Sequence, residues 1–241
     1  MTVAAIVQAR MGSTRLPGKV LRPLAGSSPL SHIARRLASS RRIDQIAVAT
    51  TVERRDDAIE LEANRLGLFC FRGSEDDVLG RYLGASRRLG VDVIVRITAD
   101  CPLIDAGVVD RIVESHALAR CDYGSNTIRR TYPRGLEAEA ITHEALERLG
   151  ATAPPGPARE HVTWLVHQRQ GEYSRLSVED QCDNSDLRWT VDTQDDWLLV
   201  ERLYEELELA RTMLPYLDIL AHVRAHPELS ALNAHVEQKV V

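Results

Sequence analysis

The chain has 241 residues, 44% hydrophobic and 27% charged, with a formal net charge of −5. This is ordinary globular composition, and enough chain to enclose one large core. No apolar run reaches the roughly 18 residues of a membrane-spanning helix. The chain is not basic overall and shows no aromatic-basic interleaving, so neither a membrane nor a nucleic-acid partner is expected.

Taken in order, 2–8 (TVAAIVQ) reads as a buried strand and 29–40 as a helix. Segment 43–50 (IDQIAVAT) is the next strand and 56–66 the next helix. A short strand at 68–71 precedes a helix over 75–89, and the buried strand 91–97 (VDVIVRI) precedes a helix over 106–119. Strands alternating with helices of this length specify βαβ units, hence a parallel sheet covered on both faces. Gly67 and Gly90 stand where helix C-caps belong.

The rhythm changes after residue 121. Segments 121–126, 136–141 and 173–178 read as strands of another style, with a linker at 151–158 (ATAPPGPA) and a helix over 160–168. Segment 187–191 reads as a strand returning to the sheet, 194–209 as a helix, and 214–226 as amphipathic. Cys70, Cys101, Cys121 and Cys182 form no CxxC pair. A zinc cluster or disulfide framework is therefore not indicated, and a reducing cytoplasm fits.

The first acidic residue is Asp44, and eight basic residues precede it. A basic start on an acidic chain points to a local site for an anionic ligand. The cluster Arg35, Arg36, Arg41 and Arg42 reads as a solvated helix end. The loop after the first strand, Gln8-Ala9-Arg10-Met11-Gly12-Ser13-Thr14-Arg15-Leu16-Pro17-Gly18-Lys19, is a stronger candidate. Ligands of open parallel sheets sit beyond the carboxyl ends of strands. Gly12 and Gly18 allow close backbone approach, and Ser13 and Thr14 supply donors. Arg10, Arg15 and Lys19 supply cations, which together suit a triphosphate. The loop is not a Walker A motif: five residues separate its glycines, Pro17 interrupts, and Val20 follows Lys19.

Asp100 follows the strand 91–97, and Asp192 ends the apolar run in RWTVDT. Two carboxylates at strand ends facing a cationic loop suit magnesium, which takes one or two carboxylates plus phosphate oxygens and water. The structural alternatives are a helix N-cap for Asp100 and an Asx turn for Asp192. Arg72-Gly73-Ser74 follows the third strand. Ser74 reads as an N-cap with Asp77 completing a capping box, while the same turn offers backbone groups to a base edge. Arg81 is a further candidate one helical turn on.

The run ARMGSTRLPGKVL resembles the opening motif of cytidylyltransferases that make CMP-activated sugars, such as the CMP-sialate and CMP-Kdo synthetases. Together with FRGSEDDVLGRY, RITADCPLI, SNT, REHVT and RWTVDT, it most closely resembles the spore-coat polysaccharide branch, over residues 3–205. The resemblance implies an α/β, Rossmann-like nucleotide-diphospho-sugar transferase fold, with a mostly parallel sheet flanked by helices. It implies a nucleotidyltransferase domain over 1–205, an inserted α+β segment over 121–187, and a helical extension over 206–241.

By resemblance, Arg10, Ser13, Arg15 and Lys19 hold the phosphates of CTP, and Gly73 and Ser74 lie by cytosine and ribose. Asp100 and Asp192 bind Mg2+. Arg15, Lys19 and Asp100 carry the chemistry. Segment 121–187 meets the acceptor and a second subunit in a homodimer. Within it Arg129, Arg130 and Arg134 meet an acceptor carboxylate or phosphate, and Glu139 and His161 its hydroxyls. The expected reaction moves CMP from CTP to a sugar-like or acidic acceptor and releases pyrophosphate. Rival readings are a sugar-1-phosphate nucleotidyltransferase using UTP, GTP or dTTP, and a non-catalytic nucleotide-binding module. A glycosyltransferase would want a DxD motif, which is lacking: Asp76-Asp77 and Asp195-Asp196 are adjacent pairs.

Overall fold

A computed structural model describes residues 1–169 and 171–238. The end of the expected C-terminal extension, 239–241, lies outside the described residues. One seven-stranded sheet, in the order β3-β2-β1-β4-β6-β5-β7, organises the chain. β1 (Val3–Gln8), β2 (Gln45–Thr51), β3 (Phe69–Gly73) and β4 (Val93–Thr98) are mutually parallel. β6 (Glu139–Thr142) runs antiparallel to β4, β5 (Tyr123–Ser125) antiparallel to β6, and β7 (Arg175–Ser177) parallel to β5. The three strands after residue 121 thus extend the same sheet.

Successive side chains of a strand point to opposite faces. In β1, Val3, Ala5 and Val7 therefore join one core, and Ala4 and Ile6 the other. The first core is roofed by α1 (Pro29–Leu37), α2 (Asp57–Arg65), α4 (Ala106–Ala119), α8 (Gln194–Glu206), α9 (Tyr216–Ala225) and α10 (Pro227–Ala231). The second is roofed by α3 (Val78–Leu89), α5 (His143–Thr152), α6 (Pro157–Glu160) and α7 (Trp164–Gln168). Among the described residues no helix is long and apolar enough to cross a membrane.

Four expectations need correction. β3 pairs with β2 as far as Gly73, so α3 begins only at Val78 and its N-cap is Asp77, which accepts from Gly80 N at 2.8 Å. Ser74 is not the cap. The strand expected at 187–191 is an extended strip outside the seven strands, bridged in parallel at Arg134 and Arg188. The helix expected at 160–168 is broken into α6 and α7. α5 was unforeseen, although its cap is plain in hindsight: Thr142 accepts from Ala145 N, and Ala145, Leu146 and Leu149 make one buried face.

Candidate active site

The loop leaving β1 is tied down from both sides. Ala9 N donates to Ala49 O at 3.0 Å, and Met11 N donates to Asp56 Oδ1 at 2.7 Å. Asp56 is fully buried and also accepts from the Thr51 hydroxyl. Within the loop, Gly18 N donates to Met11 O at 3.1 Å, with Gly18 at φ 70°. A left-handed residue there turns Lys19 back toward the sheet, which is glycine's particular freedom.

β4 delivers Asp100 opposite that loop. The strip at 188–192 lies alongside, with Val191 N donating to Asp100 O at 2.8 Å. Lys19 joins all three segments. Its Nζ donates to Val191 O at 2.6 Å, Asp192 Oδ1 at 2.8 Å and Asp100 Oδ2 at 3.2 Å. Arg15 stands 2.9 Å from the other Asp192 oxygen. Burial acts to lower the Lys19 ammonium, but Asp100 and Asp192 outweigh it and hold it above its ordinary value. Burial pushes the Asp192 carboxyl up, while Lys19, Arg15 and Arg188 prevail and keep it below the usual range. The N-cap alternative for Asp100 does not apply, because Asp105 caps α4.

These groups line a cavity of about 290 Å³ beyond the carboxyl ends of β1 and β4. Of the expected site residues, Gln8, Ala9, Arg10, Gly12, Ser13, Arg15, Lys19, Asp100, Asp192 and His161 all line it. The lining includes two further cations, Arg81 and Arg96. Arg81 donates to the carbonyls of Ser74 and Glu75, and burial lowers its pKa. Arg96 pairs with buried Glu139, which also accepts from Tyr123 Oη at 2.9 Å and Thr163 Oγ1 at 2.6 Å. Burial raises Glu139, yet Arg96 and the two hydroxyls bring it below the usual carboxylate range.

Other expected contacts lie elsewhere. Arg72 is not in the cavity wall: it donates to Thr51 O at 2.9 Å and pairs with Glu60 and Asp57, clamping β3 to α2. Gly73 and Ser74 stand behind Arg81, not in the lining. Arg129 pairs with Glu179 at 3.0 Å and Arg130 with Glu137 at 2.8 Å. Arg134 lines a separate cavity of about 140 Å³ with Arg188 and Asn233. Glu139 sits beneath the cavity wall, not in it. Among the described residues no cluster of three or more His, Cys, Asp or Glu could hold a metal, so Asp100 and Asp192 are a pair. Sequence reasoning missed Arg96 and Asp56. A single Arg in an otherwise apolar strand was the available signal for the first.

A model of the cytidylyltransferase family matches residues 4–215. The chain belongs to the cytidylyltransferase family. It is 32% identical to the spore coat polysaccharide biosynthesis protein SpsF of Bacillus subtilis, over 83% of this chain and 85% of that protein. A solved cytidylyltransferase from Leptospira borgpetersenii superposes with a TM-score of 0.90 at 31% identity, covering 100% of this chain and 99% of the other. The CMP:2-keto-3-deoxy-manno-octonic acid synthetase, solved with CTP, shares the fold at a TM-score of 0.62 and 16% identity, covering 86% and 99%. The Rossmann-like fold of these cytidylyltransferases is the one described above. The family match also spans the loop at 8–19, Asp100 and Asp192.

Proposed function

We propose that the enzyme transfers CMP from CTP to an oxygen of a sugar-like or acidic acceptor. The acceptor oxygen, giving up its proton to solvent where it is a hydroxyl, bonds to the α-phosphorus; the bond from the α-phosphorus to the oxygen bridging to the β-phosphate breaks, and pyrophosphate leaves with that electron pair. Such transfers need positioning and charge stabilisation more than a covalent enzyme group. The observation that carries the reading is the convergence of Arg10, Arg15, Lys19, Asp100 and Asp192 on one cavity at the carboxyl end of the sheet.

The residues also fit a hard divalent cation. Three oxygens, from Asp100, Asp192 and Val191, already converge on one cationic group, the Lys19 ammonium. An all-oxygen donor set of this kind suits magnesium. Asp100 and Asp192 would hold it, and it would supply charge neutralisation and polarisation of the α-phosphate. Lys19 and Arg15 then serve the phosphates that leave. His161 and Arg96, which also line the cavity, are assigned to the acceptor.

Thermal unfolding with CTP, UTP, GTP, ATP and dTTP, each with and without magnesium, tests the reading. A ligand at 100 times its Kd adds about 2.7 kcal/mol. At about 2–4 °C per kcal/mol for a chain of this size, that is a readily measured rise. A rise with CTP and magnesium is expected, together with loss of turnover in a folded Asp100→Ala protein. Another preferred base overturns the cytidine assignment. Near-normal turnover by Asp100→Ala overturns the role given to that carboxylate.

A further inference from the structure

The family match ends at residue 215, yet the chain beyond it reaches back to the site. Asn233, only 2% exposed, lies just after α10. Its Nδ2 donates to Asp196 Oδ1 at 2.8 Å and to Arg188 O at 2.9 Å. Gln238 Oε1 accepts from Arg188 Nη1 at 2.6 Å. Arg188 in turn donates through Nε to Asp196 Oδ1 at 2.8 Å, and through Nη2 to Asp192 Oδ2 at 2.8 Å. The other Asp196 oxygen accepts from the backbone of Asp192 at 2.9 Å and of Thr193 at 3.0 Å.

This network exceeds what capping α8 requires. Thr193 and Asp196 complete the capping box by themselves. For stability alone, a buried ion pair is often no better than apolar residues of similar size. What the pair achieves is orientation. A planar guanidinium held on one edge by Asp196 presents its other edge to Asp192 in one geometry. Asp196 fixes the backbone of the same residue. Asn233 closes the arrangement from the far side.

We propose that Asn233 is a positioning residue for Asp192, acting through Asp196 and Arg188. The proposal rests on the reading of Asp192 as a metal-holding carboxylate. Groups that orient metal ligands typically alter metal affinity by about 10–100-fold when removed. Asn233 stands behind two intervening side chains, so the lower end of that range is expected.

The test uses full-length protein, saturating CTP and Mn2+ as the probe, with free Mn2+ read by electron paramagnetic resonance. N233L removes both donations, and N233S keeps a donor. His235→Ala, which breaks only an exposed contact with Asp195, is the control. The expected result is Mn2+ binding about tenfold weaker in N233L, less weakened in N233S, and unchanged in the control. CTP binding without metal stays at the parent value, and turnover lost at low metal returns at high metal. Parent-like Mn2+ affinity in folded N233L overturns the proposal. So does a loss of metal and nucleotide binding together, which marks a merely structural role. Should N233L not fold, N233S decides by the same criterion. If the unmutated enzyme shows no CTP-dependent Mn2+ binding, the metal reading itself fails, and that failure is visible before any variant is made.

Discussion

Arg96 and Glu139 are opposite charges placed directly across from one another on neighbouring strands. Each would be costly alone in the sheet, since a buried charge needs a partner and further hydrogen bonds. Burial, the largest influence on both groups, disfavours the charged forms. Mutual attraction nevertheless raises Arg96 and lowers Glu139. Glu139→Ala leaves Arg96, Tyr123 and Thr163 without their acceptor. It should destabilise the protein by about 3–5 kcal/mol in urea unfolding. The double variant Arg96→Met/Glu139→Met removes both charges and should lie much closer to the parent in stability, while turnover is lowered because the cavity has lost one of its cations. A double variant as unstable as Glu139→Ala would show that packing, not charge, holds this pair.

At the scale of elements, the strip at 188–192 is positioned by the turn before β6. Gly135 has φ 105°, and a Cβ there would come within 2.6 Å of Thr190 N and Trp189 C. Those are backbone atoms and cannot move without displacing Asp192. Gly90 also has positive φ, at 64°, but a Cβ there meets nothing within 4 Å. Gly90→Ala should therefore cost only the left-handed backbone term, about 1–2 kcal/mol. Gly135→Ala should cost more, and should lower turnover at subsaturating metal, measured in parallel. Equal losses in the two variants would remove the close approach as the reason for glycine at 135. The same element shows what a sequence conceals. The loop at 8–19, Asp100 and Asp192 were legible because each ends or follows an apolar run, and strand ends are where ligands gather. The strip itself looked like a strand because its apolar residues alternate. It stays outside the sheet because its backbone partners, Arg134 and Asp100, themselves lie outside the seven strands. The cap of α3 was misplaced because Ser74 and Asp77 are both good caps. Only the length of β3, set by pairing with β2, decides between them. Asp56 looked like the start of a helix, and its bond to Met11 N spans 45 positions that no local pattern links.

Over the whole molecule, buried carboxylates set the response to acid. Asp192, Asp196 and Glu139 are each raised by burial but brought below their ordinary values by cations and donors that exist only in the folded chain. A carboxylate whose folded pKa is depressed contributes stability that is present above its unfolded value and lost as pH falls through the folded value. The unfolded values are about 3.9 for Asp and about 4.3 for Glu. Stability should hold level from neutral pH down to about pH 5 as far as these groups are concerned, then fall steeply below about pH 4. Lys19 has the opposite sign. Its raised pKa contributes stability below the ordinary lysine value, lost only above about pH 10. Two of the three carboxylates belong to the Asn233–Asp196–Arg188–Asp192 chain, so Asp196→Asn should flatten the acid limb as well as lower stability at neutral pH. Urea midpoints between pH 3 and 8 read both effects. An acid limb of unchanged slope in Asp196→Asn would place the proton uptake in other carboxylates, and the C-terminal network would then have no part in the acid response.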